Sequence, residues 1–112
     1  MLSLSAGANP APVFAALGDQ TRLSLLAKLS DGQSRSIAKL SADTRLTRQA
    51  ITKHLGVLAA AGLVRDVKVG RERLWEFEPT QLDEARRALE FIGQQWDHAL
   101  AKLKFAVESN PS

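Results

Sequence analysis

Apolar residues recur at three- and four-residue spacing through four successive stretches of the chain, give way to an alternating β-branched pair of runs, and end in a seven-residue repeat. Spacing of the first kind predicts helices buried along one side, and alternation predicts strands. Val13, Phe14 and Leu17 mark a short first helix, opened by Pro10 and Pro12 and closed by Gly18. Asp19 is placed to cap a second helix reaching about Leu29, with Leu23, Leu26 and Leu29 turned inward and Asp31-Gly32 as its stop. Ser34 offers a cap for a third, short helix bearing Ile37 and Leu40. Residues Ser41 to Leu46 form a turn, and Thr47 caps a longer fourth helix.

That fourth helix is specified at both ends. Leu46 and Ile51 flank the Thr47 cap at the positions of a hydrophobic staple. Gly62 suits the left-handed residue after the helix, with Leu63 folding back on Leu58 as in a Schellman stop. Between these ends Ile51, Leu55 and Leu58 build a buried stripe, while Arg48, Gln49, Thr52 and Lys53 fall on other faces. A helix that enters the major groove needs this division, because its exposed N-terminal residues must reach base edges while its apolar side holds it on the domain.

Val64, Val67 and Val69, a turn from Gly70 to Arg73 and the strand Leu74-Trp75-Glu76-Phe77 then read as a hairpin, with Arg71 and Arg73 at its tip. A basic glycine-containing turn is by itself no more than a solvated loop. Beside a recognition helix it is placed to reach backbone phosphates or the minor groove. The predicted architecture is therefore mostly α with a small β-hairpin, a winged helix-turn-helix.

After Pro79 and Thr80 the period changes. Leu82, Leu89, Trp96 and Leu103 are seven apart, and Ala85, Ile92, Ala99 and Ala106 form a second series three places on. This is a heptad seam, widened by Phe91, Leu100, Phe105 and Val107. From Thr80 to Glu108 the helix would be roughly 43 Å long at about 1.5 Å per residue, longer than so small a domain can cover. The expectation is a long C-terminal dimerisation helix, set against the alternative of an intrachain core helix in a monomeric bundle. Residues 1–10 are assigned to a flexible lead, 11–108 to the domain and 109–112 to a tail.

Composition narrows what such a chain could do. Its 112 residues suffice for one domain, and 45% hydrophobic with 24% charged residues describes a globular protein. There is no cysteine, which excludes disulfides and thiolate metal sites. The start MLSLSAGANP resembles neither a secretory signal nor a transit peptide, and no run is long and apolar enough for a membrane, so a cytoplasmic protein is expected. Net charge is +3, but residues 31–73 carry nine basic and four acidic side chains whereas residues 74–112 carry four and seven. The positive excess thus coincides with the proposed reading segment, where phosphates would need neutralising.

The stretches FAALGDQTRLSLLAKL, LTRQAITKHLGVLAAAGLV and VRDVKVGRERLWEFEP, spanning residues 14 to 79, resemble the arsenical-resistance-repressor (ArsR) family of bacterial winged-helix transcription regulators. The segment FIGQQWDHALAKLKFAVE is similar to the branch in which a long, Trp-bearing helix follows the wing. In that branch the regulator is often encoded beside a START-like protein. The resemblance implies a homodimer bound to double-stranded DNA, its first and last helices pairing across a twofold axis; Phe14, Leu17, Leu89, Ile92, Trp96, Leu100 and Leu103 are the candidate interface residues. It also implies DNA contacts at Thr47, Arg48, Gln49, Thr52, Lys53 and His54, with Arg71 and Arg73 on the wing. Thr47 has a second reading as a cap alone, and His54 as a local packing residue.

Departures from the founding members bear on ligands. Their metal-binding cysteine positions fall at Ser36, Ala38 and Ser41, and the final helix offers only adjacent Asp97-His98, whose side chains diverge. No metal and no cofactor are expected. A catalytic reading lacks a phosphate loop, a nucleophile elbow or paired histidines. Two other readings remain open: a winged-helix module that binds a protein instead of DNA, and an unknown small-molecule effector between the terminal helices, although a Trp and Phe stripe more often packs than lines a pocket.

Overall fold

The computed structural model describes residues 9–109. The expected flexible lead and the tail fall almost wholly outside that range. Helix α1, Ala11–Leu17, starts on Pro10, and α2, Gln20–Leu29, starts on Asp19, whose carboxylate accepts the Arg22 N–H at 3.0 Å. Arg22 then turns back, donating through Nε to the Ala16 carbonyl at 2.7 Å and through Nη2 to that of Ala15 at 3.4 Å. The last carbonyls of α1 gain a cationic partner in this way, and the two helices are tied at their junction.

Strand β1, Arg35–Ser36, leads directly into α3, Ile37–Ser41. The cap of α3 is Ser36, accepting the Lys39 N–H at 3.2 Å, and not Ser34, which instead donates to Glu76 at 2.9 Å. Recognition-type helix α4 spans Arg48–Ala60 with Thr47 as its cap. Its stop is the expected one: Gly62 has φ +78°, its N–H reaches the Ala59 carbonyl at 3.0 Å, and the Leu63 N–H reaches Leu58 at 2.9 Å. The glycine is required twice over, since a Cβ there would stand 2.6 Å from the Gln81 side chain.

Strands β2, Val64–Val69, and β3, Glu72–Phe77, pair antiparallel from Val64 opposite Phe77 to Val69 opposite Glu72. The loop is therefore only Gly70-Arg71, with Gly70 at φ +62°, the pattern of a type II′ turn. The expected four-residue turn was too long. Strand β1 adds to the outer side of β3, Arg35 opposite Trp75, so the hairpin becomes a three-stranded sheet of order β1-β3-β2.

Leu25, Leu26, Leu29, Leu40, Ile51, Leu55, Leu58 and Leu63 form the centre of the core, closed by Trp75 from the sheet and Val13 from α1. Leu46 packs against this cluster beside the buried Ile51, as the staple predicts. In α2 the expectation erred by one position: Leu25 is buried, whereas Leu23 is 52% exposed. Five apolar residues crowd one short helix, and the packing of α4 and the sheet, not the local pattern, selects the buried face.

Helix α5, Pro79–Ser109, is a single rod of 31 residues. Ala85 and Ala88 are buried and Leu82 packs against the core, but every residue from 89 to 109 is exposed. The molecule consequently measures 72 × 33 × 21 Å, with a radius of gyration of 19.6 Å, against about 13 Å for a compact chain of similar length. Among the described residues nothing covers that part of the helix, which does not fit the intrachain-core alternative. Among the described residues no helix is long and apolar enough to cross a membrane.

Candidate nucleic-acid interface

The polar side of α4 is built from its first two turns. Burial of Ile51, Leu55 and Leu58 fixes the helix on the body and leaves Arg48, Gln49, Thr52 and Lys53 exposed. Thr47 Oγ1 accepts the Ala50 N–H at 3.1 Å, and Thr52 Oγ1 donates to the Arg48 carbonyl at 2.8 Å. Both hydroxyls are thus engaged in shaping the helix. The side chains of Arg48, Gln49 and Lys53 form no hydrogen bond or ion pair with other described residues, which leaves two cations and an amide free beside the helix N-terminus.

His54 lies half-buried on the flank of α4 that approaches the start of α2. The Asp19 carboxyl there is held below its usual range, first by the Arg22 backbone N–H and further by the charges of Arg22 and His54. His54 therefore belongs as much to the α2 junction as to the exposed face.

Of the nine cations between residues 31 and 73, three are engaged. Arg35 pairs with Asp31 at 2.6 Å, Arg65 with Glu76 at 2.6 Å and Glu78 at 3.5 Å, and Arg73 with Asp66 at 2.7 Å. Arg73 is also not at the tip of the wing. It sits in the ladder, its guanidinium 5.4 Å from the centre of the Trp75 ring. Arg71 alone occupies the tip.

Three exposed cations escaped the sequence reading: Lys39 on α3, Arg45 two residues before the Thr47 cap, and Lys68 on β2. Lys68 lies directly opposite Arg73, and like charges so placed repel. Counting residues back from a two-residue turn would have exposed that pair. With Arg48, Lys53 and Arg71, these side chains give the run from the α3–α4 turn to the wing a positive excess over its exposed Asp43, Asp66 and Glu72, suited to holding a polyanion backbone.

Ser36 Oγ is used as the α3 cap and Ser41 Oγ donates to the Ala38 carbonyl at 3.0 Å, so the positions corresponding to the family's cysteines are structural. Among the described residues no group of three His, Asp or Glu side chains is gathered closely enough for a metal ion.

A helix-turn-helix domain family matches residues 17–67. The chain is 31% identical over 101 residues to the HTH-type transcriptional regulator Rv2034 of Mycobacterium tuberculosis, covering 90% of this chain and 91% of that protein. An ArsR-like transcriptional regulator from Rhodococcus sp. RHA1 superposes with a TM-score of 0.77 at 44% identity, over 90% of this chain and 94% of the other. The same fold, at 24% identity and a TM-score of 0.58 over 80% of both chains, is seen in the homodimeric winged helix-turn-helix domain Mb0332 of Mycobacterium bovis. The chain belongs to the ArsR family of helix-turn-helix transcriptional regulators, and it is a DNA-binding transcription regulator of winged-helix fold.

Proposed function

We propose that two copies of this chain bind a near-palindromic promoter site and repress transcription by excluding polymerase. The observation that carries the reading is the free polar surface of Arg48, Gln49 and Lys53 on a helix whose opposite side is fully buried. Gln49 carries the amide chemistry that pairs with adenine, and Arg48 or Lys53 the donors that pair with guanine. Thr47, Thr52 and His54 border that surface and are assigned to the phosphate backbone, as are Arg71 at the wing tip and Arg73 behind it.

A homodimer is supported by the bare apolar length of α5 and by the dimeric state of the Mycobacterium bovis domain. Paired α4 helices would then read half-sites one helical turn apart, roughly 34–36 Å. Phe14, 36% exposed on α1, and the partly covered Leu17 lie on the body next to α5 and complete the proposed interface. The stripe of Trp96 and Phe91 is open helix surface and not a cavity, so it is assigned to packing between copies in preference to a small ligand. Regulation without a metal ion is part of the proposal; zinc retained in stoichiometric amount after dialysis would contradict it.

The test is binding of the purified protein to its own upstream intergenic DNA and to a scrambled duplex at two salt concentrations. Preference for the native duplex, two protomers per site and a steep loss of affinity with salt are expected. Equal weak binding to both duplexes would point instead to a distant operator or to the protein-partner reading.

A further inference from the structure

We propose that the α5 helices of two copies cross antiparallel with Trp96 of each seated in a notch at Gly93 of the other. This rests on the homodimer reading and adds its register. Beyond Ala88 the apolar stripe that docks α5 on the body runs on through Leu89, Ile92, Trp96, Leu100 and Leu103, and none of the described residues covers it. Trp96, 62% exposed, is its largest knob.

Gly93 lies on the same stripe, one turn before Trp96. Glycine is the poorest helix former apart from proline, yet nothing among the described residues requires it here: its φ is ordinary, and a Cβ would meet no atom of theirs within 4 Å. A bare helix surface beside the largest exposed side chain is a ready-made knob and hole. In a twofold interface each residue's contact is repeated in reverse, so Trp96 on Gly93 places the axis between residues 94 and 95.

The rest of the helix then falls into place. Leu89 meets Leu100 of the second copy, Arg86 meets its Leu103, and Leu82 meets its Val107. Leu82 lies on the rim of an apolar groove of about 200 Å³ that is also lined by Leu17, Leu23, Leu26 and Phe77. The register thus delivers the 66% exposed Val107 to a groove that the exposed Leu23 lines. Interface and groove become one surface, mostly apolar, with Arg86 and Asp97 along its edges.

Because the chain has no cysteine, introduced thiols report the register directly. Arg86→Cys/Leu103→Cys should oxidise to a covalent dimer, while neither single variant does, since two copies of residue 103 would lie about 25 Å apart along the helices. Gly93→Ala should weaken the dimer about ten- to a hundredfold by sedimentation without lowering the melting temperature of the dilute monomer. Gly93→Leu combined with Trp96→Ala should recover part of that loss. A parent protein that sediments as a dimer while Leu103→Cys alone cross-links, or while Gly93→Ala pairs as tightly as the parent, overturns the register and leaves the dimer standing. A parent that stays monomeric at all concentrations overturns the dimer as well.

Discussion

Residues 79–88 and 89–109 belong to one helix and follow one seven-residue repeat, yet the first segment buries Ala85 and Ala88 and the second buries nothing. The difference lies in what stands opposite. A heptad pattern specifies which face of a helix is apolar; it does not name the surface that will cover it. In the first segment α1 supplies that surface, so this part of the helix is covered within the body. The second segment carries Leu89, Ile92, Trp96 and Leu103 more than half exposed, which makes it the part whose environment depends on concentration.

Substitutions that weigh one segment against the other give the largest effects. Leu55→Ala, at a fully buried position, should cost about 2–5 kcal/mol of stability in denaturant unfolding. Leu103→Ala, measured under dilute conditions, should stay within about 0.5 kcal/mol. Similar losses at both would mean that the distal helix is covered within the monomer and would end the comparison.

DNA binding separates the two regions next. Arg48→Ala should cost about 1–3 kcal/mol of affinity and relax base preference, with monomer stability unchanged. Trp96→Ala should lower DNA affinity only through the dimer, so that its effect fades as protein concentration rises. Loss of base preference in the Trp96 variant, read by competition between duplexes, would contradict that separation.

Smaller again are the two glycines. Gly62→Ala places a side chain at φ +78° and against Gln81 and should destabilise the body by about 1–2 kcal/mol. Gly93→Ala should stabilise the isolated helix by up to about 1 kcal/mol. Opposite signs in thermal melts of the dilute protein are the expected outcome.

The smallest effect is a pH dependence confined to the body. Hydrogen bonds from Arg35 lower the Asp31 carboxyl from 3.8 to about 2. A depressed carboxylate contributes stability that is present above its unfolded value, near pH 4, and lost as the pH falls toward 2. Asp31→Asn should therefore lower stability at pH 5 and flatten its decline below pH 4. An unchanged acid limb would show that the exposed pair contributes nothing measurable.

Much of the architecture was legible because it is locally encoded. Helix α4 carries its own cap, staple, stripe and stop within Leu46–Leu63, and each is found where those residue types require it. Strand β1 was not legible, since two residues acquire their strand conformation only by pairing with β3. The α3 cap was missed for a related reason: Ser34 and Ser36 offer the same hydroxyl, and sheet pairing decides between them. The misplacement of Arg73 arose from the loop length, which Gly70 sets at two residues, drawing Arg73 into the ladder beside Asp66. On the candidate surface, Arg48, Gln49 and Lys53 were legible from the face they share, whereas Lys68 required the strand register.

Only Glu78 separates the last residue of β3 from the first of α5, and it is held at both ends: its N–H donates to the Leu63 carbonyl at 2.9 Å and its carboxylate accepts from the Thr80 hydroxyl at 2.7 Å. The wing and the long helix are thus geared together without slack. In the proposed dimer α5 acts as a ruler, its length from Pro79 to the twofold setting how far apart, and at what phase around the duplex, the two reading heads stand. Inserting one residue there would advance a head by about 1.5 Å and swing it by about 100°. Operator spacing is in this sense written into the helix as a residue count.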